Sequence, residues 1–176
     1  MDFAAALETV SEFLDGKGFR YAVIGGVALA AYGLSRTTLD LDLVVEGEAQ
    51  DALISFLESL GFETLHRSSG YSNHLHPDPA HGRLDFAYVR GETSRKLFAG
   101  CRERRGPQGR MIPVPKPEHL AAMKVLAFRN DPGRTFQDMA DIRFLLTLPG
   151  VDRAEVRGSF ERHGLGDRFD EIERTL

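Results

Sequence analysis

The chain has 176 residues, 42% of them hydrophobic and 27% charged, with a formal net charge of −4. That suits one compact soluble domain with a sizeable core and excludes a disordered chain; no apolar run approaches the roughly 20 residues of a spanning helix, so no membrane partner is expected. A lone Cys101 excludes an internal disulfide, and the start MDFAAALETVSEF lacks the basic-then-apolar order of a signal peptide, so a reducing, cytoplasmic location is expected.

Phe3, Leu7, Val10 and Phe13–Leu14 recur at helical spacing and predict a first helix that Gly16 and Gly18 terminate. Tyr21-Ala-Val-Ile24 has strand length and breaks at Gly25-Gly26. Val27 to Tyr32 reads as a short buried helix ending at Gly33. Thr38 to Val45 alternates and then turns fully apolar, which is a strand. Glu48 to Leu60 places Leu53, Ile54, Leu57 and Leu60 on one helical stripe, with Gly61 as its stop. Strands follow around Phe62–His66, Tyr71–His76 and Arg83–Val89. Pro77 and Pro79 interrupt the chain before the last of these, so a turn or loop should join the last two as an antiparallel pair.

A helix near Thr93–Ala99 leads into a Gly/Arg-rich loop, and Arg110–Val114 gives a last strand. Pro115-Lys-Pro117 marks a boundary. Beyond it the pattern is helical, over Glu118–Arg129, Phe136–Leu148, Arg153–Arg162 and Asp167 to the end. The expected fold is α+β (α/β): a mixed sheet flanked by helices over residues 1–115, with a C-terminal helical bundle over 116–176 packed on it as a single compact unit.

The charge is unevenly spread. Thr37 to Glu63 carries seven acidic residues and no Lys or Arg, while Arg95 to Lys116 carries seven basic residues against Glu103 alone. The first block suits cations and the second suits phosphates. Within the first, Asp40 and Asp42 stand two apart on a strand, so their carboxylates point the same way, about 7 Å apart along the backbone. Two like charges on one face repel and serve no folding purpose without a cation. Magnesium takes a few carboxylates and completes its octahedron with water and triphosphate oxygens.

Asp85, in Arg83-Leu-Asp-Phe-Ala-Tyr-Val, is the third candidate ligand. If its strand lies beside that of Asp40 and Asp42, three carboxylates converge, as two-metal phosphoryl chemistry requires, and Asp85 also becomes a proton acceptor. Gly25-Gly26 follows a strand and opens a helix, where glycine lets the backbone come close to a phosphate. Arg36 is either a phosphate ligand or an ion partner that orients Asp42.

The pattern of apolar strand, Gly25-Gly26, short helix, Tyr32-Gly33, Arg36, Thr37 and Asp40-Leu-Asp42 resembles the polymerase-beta-type nucleotidyltransferase superfamily. Within it the likeness is to the minimal nucleotidyltransferases and the AbiEii-like toxins of type IV toxin–antitoxin systems. Ala121-Ala-Met-Lys124-Val-Leu-Ala-Phe-Arg129 with Arg134, Asp138 and Asp141 is similar to that group's later motif. The resemblance spans about Tyr21 to Leu146. It implies a nucleotidyltransferase fold and the transfer of a nucleoside monophosphate from a triphosphate, with two magnesium ions, to a hydroxyl or phosphate acceptor. It further implies a tRNA or protein as acceptor, a cognate antitoxin as partner, phosphate binding by Lys124, and an orienting or nucleotide-contacting role for Asp138 or Asp141. The superfamily often has Gly-Ser where this chain has Gly25-Gly26, so a serine contact is missing.

Two rival readings use the same residues. One is a nucleotide-binding or regulatory module that has kept the fold and lost catalysis; the other is an enzyme that modifies a small molecule such as an antibiotic. Three retained aspartates argue against the first, and a basic Arg102–Arg110 loop favours a polyanionic acceptor over a cationic drug. His74 and His76 are expected as exposed edge histidines, since two ligands do not make a zinc site. Cys101, among arginines, is expected to have a lowered pKa and no catalytic part.

Overall fold

A computed structural model describes all 176 residues, which divide into two compact units, Met1–Pro115 and Lys116–Leu176. In the first unit, α1 (Phe3–Lys17) starts where the Asp2 carboxylate accepts from the Ala4 and Ala5 amides, and ends at Gly18 in the left-handed region. It buries Leu7, Val10 and Leu14. Each such side chain removed from water stabilises the fold by about 1.5–3 kcal/mol. Phe13 stacks on Phe56 of α3 (Gln50–Ser59) at 4.2 Å between ring centroids, so the two helices share one apolar layer.

The sheet has five strands in the order β1-β2-β5-β4-β3, where β1 is Tyr21–Val23, β2 Asp40–Glu46, β3 Glu63–Arg67, β4 Tyr71–Leu75 and β5 Arg83–Val89. Only β2 and β5 run parallel; the other pairs are antiparallel. Leu41 and Leu43 of β2 lie level with Leu84 and Phe86 of β5, and all four are buried. Side chains alternate along a strand, so burying these residues turns Asp40, Asp42 and Asp85 to the opposite face. Between β1 and β2 lies α2 (Gly25–Ala31), a short helix of small apolar residues.

After α4 (Gly91–Ala99) the chain forms a two-stranded ribbon of β6 (Arg102–Arg105) and β7 (Met111–Val114). The expected Gly/Arg-rich loop is thus in part a strand. Its four consecutive polar residues, all exposed, show no alternation to read, and it is the partner strand that orders them. The Tyr32 hydroxyl donates to the Pro115 carbonyl, and the Arg104 guanidinium lies 4.9 Å from the Tyr32 ring centroid.

The histidines also differ from expectation. β4 is an interior strand, so His74 is fully buried, bonded through its ring nitrogens to the Thr64 and Ser72 hydroxyls and edge-on to Phe86. His76 falls just beyond β4 and is half-buried.

The second unit consists of α5 (Pro117–Asn130), α6 (Thr135–Leu146), α7 (Arg153–Glu161) and α8 (Gly166–Glu173). Its core joins Phe128, Phe160 and Phe169, with Phe160 and Phe169 edge-to-face at 5.5 Å. Asp152 caps α7 by accepting from Ala154 and Glu155. No helix is long and apolar enough to cross a membrane.

Candidate active site

The parallel register of β2 and β5 sets Asp42 directly opposite Asp85, and Asp40 opposite Arg83. A carboxylate oxygen from each of Asp40, Asp42 and Asp85 lies within 4.8 Å of the other two. Adjacent strands are about 4.8 Å apart, so two aspartates on one strand and one on its neighbour converge without any distortion of the sheet. The donor set is oxygen alone, and three carboxylates this close repel one another. Such a cluster suits a hard divalent cation such as magnesium and is poorly matched to zinc.

Neighbours fix each carboxylate. The Thr38 hydroxyl donates to Asp40 Oδ1 at 2.9 Å. Gly25, with φ +62°, packs its bare Cα against Asp42; a Cβ there would overlap the carboxylate, and the left-handed backbone adds its own penalty for any other residue. Gly26 packs against Thr38, whose Cβ a side chain would meet at 2.7 Å. The pair therefore does more than turn the chain. It lets α2 close onto the residues that carry and brace the acids.

Asp85 is 5% exposed. Its Oδ1 accepts from Asn73 Nδ2 at 2.7 Å and Arg83 Nε at 2.8 Å, and its Oδ2 accepts from the Tyr71 hydroxyl at 2.9 Å. Burial, then the neighbouring Asp85 charge, pushes the Tyr71 phenol up to about 12, so it stays protonated and donates. Thr38, Tyr71, Asn73 and Arg83 did not stand out as site residues in the sequence. Only Asn73 facing Asp85 in the β4–β5 register would have found the second and third, and register is not visible in one strand's sequence.

Arg36 lies between α2 and β2, half-buried, and lines a cavity of about 280 Å³ together with Gly26 and Thr38. Its Nη1 is 3.5 Å from the Thr37 carbonyl. In the second unit, Lys124, Asp138 and Asp141 form one buried cluster, with Lys124 Nζ 3.0 Å from Asp138 Oδ1 and 2.5 Å from Asp141 Oδ2. Arg134 adds a bond to Asp138, and Gln137 one to Asp141. Cys101 departs from expectation: burial pushes its thiol up to about 11 and outweighs the nearby Arg102, so it is an inert thiol.

The family model for the nucleotidyltransferase AbiEii toxin of type IV toxin–antitoxin systems matches residues 6–174. No curated protein sequence matches the chain. Among solved structures it is similar to the antibiotic-resistance factor ANT(2'')-Ia, at 17% identity over 99% of this chain and 92% of that one, with a TM-score of 0.58. It is also similar to the lincosamide antibiotic adenylyltransferase LnuA, at 19% identity over 81% of this chain and 96% of that one, TM-score 0.53. An antigenic nucleotidyltransferase-like protein from Paracoccidioides brasiliensis matches at 17% identity over 96% of this chain and 92% of that one, TM-score 0.57.

Proposed function

This chain belongs to the AbiEii nucleotidyltransferase toxin family, and from that premise we propose that it is a magnesium-dependent enzyme moving a nucleoside monophosphate from a triphosphate to a hydroxyl or phosphate acceptor. One observation carries the reading: the convergence of Asp40, Asp42 and Asp85 within 4.8 Å. Magnesium, two ions in this reading, would be held by those three carboxylates and would neutralise triphosphate charge and acidify the attacking group.

With a hydroxyl acceptor, its oxygen bonds to the α-phosphorus as the bond from that phosphorus to the bridging oxygen breaks, and the electron pair leaves with pyrophosphate. The hydroxyl proton leaves to one of these carboxylates or to water. Gly25 and Gly26 let α2 close on Asp42 and Thr38 and are assigned to the phosphates through their backbone, and catalysis comes mainly from position and charge. Lys124 is a phosphate ligand in this reading. Asp138 and Asp141 occupy two of its three N–H donors and leave one for substrate. Arg36 is assigned to phosphate binding in the first unit.

The exposed Arg102, Arg104 and Arg105 of β6 favour a polyanionic acceptor, so we assign RNA, with tRNA as the first candidate, over a protein or a cationic antibiotic. We assign a toxic role with a cognate antitoxin as partner, which the family description supports. The test is to incubate the protein with α-labelled nucleoside triphosphates and magnesium, offering total RNA, total protein and an aminoglycoside in separate reactions. Label on RNA is expected. Label on the aminoglycoside or on protein would overturn the acceptor assignment, and label on none of them would overturn the enzyme reading.

A further inference from the structure

Asp85 is the most constrained of the three acids. An ionised carboxylate offers about four acceptor positions, two on each oxygen. Asn73 Nδ2 and Arg83 Nε occupy both positions of Oδ1, and the Tyr71 hydroxyl occupies one of Oδ2. One position remains, on Oδ2. Two of these donors come from β4, which contributes no acid to the cluster. Asn73 sits opposite Asp85 in the β4–β5 ladder, Tyr71 two residues before it on the same face. The donors are themselves linked, because Asn73 Nδ2 lies 2.7 Å from the Tyr71 hydroxyl oxygen.

We propose that Tyr71 and Asn73 are positioning residues for the transfer reaction: they clamp Asp85 so that it acts through a single open lone pair on Oδ2. The proposal rests on the nucleotidyltransferase reading and adds a role for β4 to it. An aspartate carboxylate on its free methylene stem rotates about the Cβ–Cγ bond and can offer both oxygens to a cation. The Asn73–Tyr71 pair removes that freedom. It also selects which oxygen is offered, since a bifurcated hold on Oδ1 leaves that atom nothing to give. Arg83 is 44% exposed at its side chain and competes with water, whereas Asn73 is 7% exposed and holds both Asp85 and the Tyr71 hydroxyl, so the β4 pair fixes the geometry.

The test uses the full chain with manganese as a spectroscopic substitute, its binding read by electron paramagnetic resonance without nucleotide, alongside the kcat and KM of pyrophosphate release. Tyr71→Phe and Asn73→Ala should each weaken manganese binding by about 10–100-fold, and lower kcat by a similar factor with the KM for the triphosphate unchanged. Melting in EDTA checks folding. If Asn73→Ala fails to fold, Tyr71→Phe carries the test, because it removes one oxygen and keeps the ring. Asp85→Asn separates the two levels. If Asp85→Asn loses manganese while Tyr71→Phe and Asn73→Ala bind it within about twofold of wild type, the clamp is wrong and the site reading stands. If Asp85→Asn also binds normally, the site reading itself falls.

Discussion

The chain contains two clusters of acids, and they resolve their charge in opposite ways. Asp138 and Asp141 in the second unit have side chains only 1% exposed and share Lys124, itself 10% exposed, as an internal cation. Asp40, Asp42 and Asp85 in the first unit bring their oxygens within 4.8 Å of one another with Asp40 and Asp42 only half-buried, and Arg83, on Asp85, is 44% exposed at its side chain. A buried ion pair costs desolvation that its partner offsets, and so the Lys124 cluster balances its acids within the fold. The aspartate trio keeps its oxygens where an outside cation can reach them. The difference separates acids neutralised from within the fold from acids placed where a ligand can reach them.

The comparison breaks most sharply at Asp40. Asp40→Asn should cut nucleotide transfer on the order of 10³-fold or more, read as initial rates of labelled product. Its thermal melting in EDTA should stay close to wild type, because one of three mutually repelling charges has gone. Lys124→Met is expected to act on stability as well. It takes from two buried carboxylates the cation they share, and removing one partner of a buried pair costs about 3–5 kcal/mol, measurable by urea unfolding. If Lys124→Met melted like wild type, the contrast between the two clusters would be gone.

A smaller effect sharpens the first cluster. Gly25→Ala puts a methyl where the Asp42 carboxylate lies and forces a left-handed backbone on alanine, a backbone cost of about 1–2 kcal/mol. Manganese affinity should fall with it, since Asp42 must move. The smallest effect concerns His74, on a buried patch with only hydroxyl partners. Burial holds its imidazole below the usual 6.5, so protons favour the unfolded chain. The stability this gives is fully present above 6.5 and is lost as pH falls from there toward the folded value, by at most about 1.4 kcal/mol per pH unit. Melting temperature against pH between 7 and 5 should therefore slope less in His74→Gln than in wild type.

Much of this was legible in the sequence because it depends on local pattern. Alternation of Asp40, Leu41, Asp42 and Leu43 is enough to put two acids on one face, and the apolar residues around Asp85 mark its strand. That Asp42 and Asp85 would be level with each other is a matter of parallel register between strands some forty residues apart, and no local signal sets it. The same limit hid Asn73 and Tyr71: the antiparallel pairing of their strand with that of Asp85 was legible, and the register that sets Asn73 opposite Asp85 was not. Arg102–Arg105 carried no periodicity, and only pairing with β7 makes it a strand. Cys101 went wrong for another reason: arginines next to it in sequence outnumber those that act on it in space, and burial dominates.

The central claim is that transfer depends on the Asp40–Asp42–Asp85 oxygens. The most direct measurement is pyrophosphate release from a nucleoside triphosphate, with RNA present, as magnesium is titrated in wild type and in Asp42→Asn. The account predicts saturable, EDTA-sensitive release in wild type and background release in the variant at every magnesium concentration. Equal release from both proteins, or undiminished release in EDTA, would contradict it.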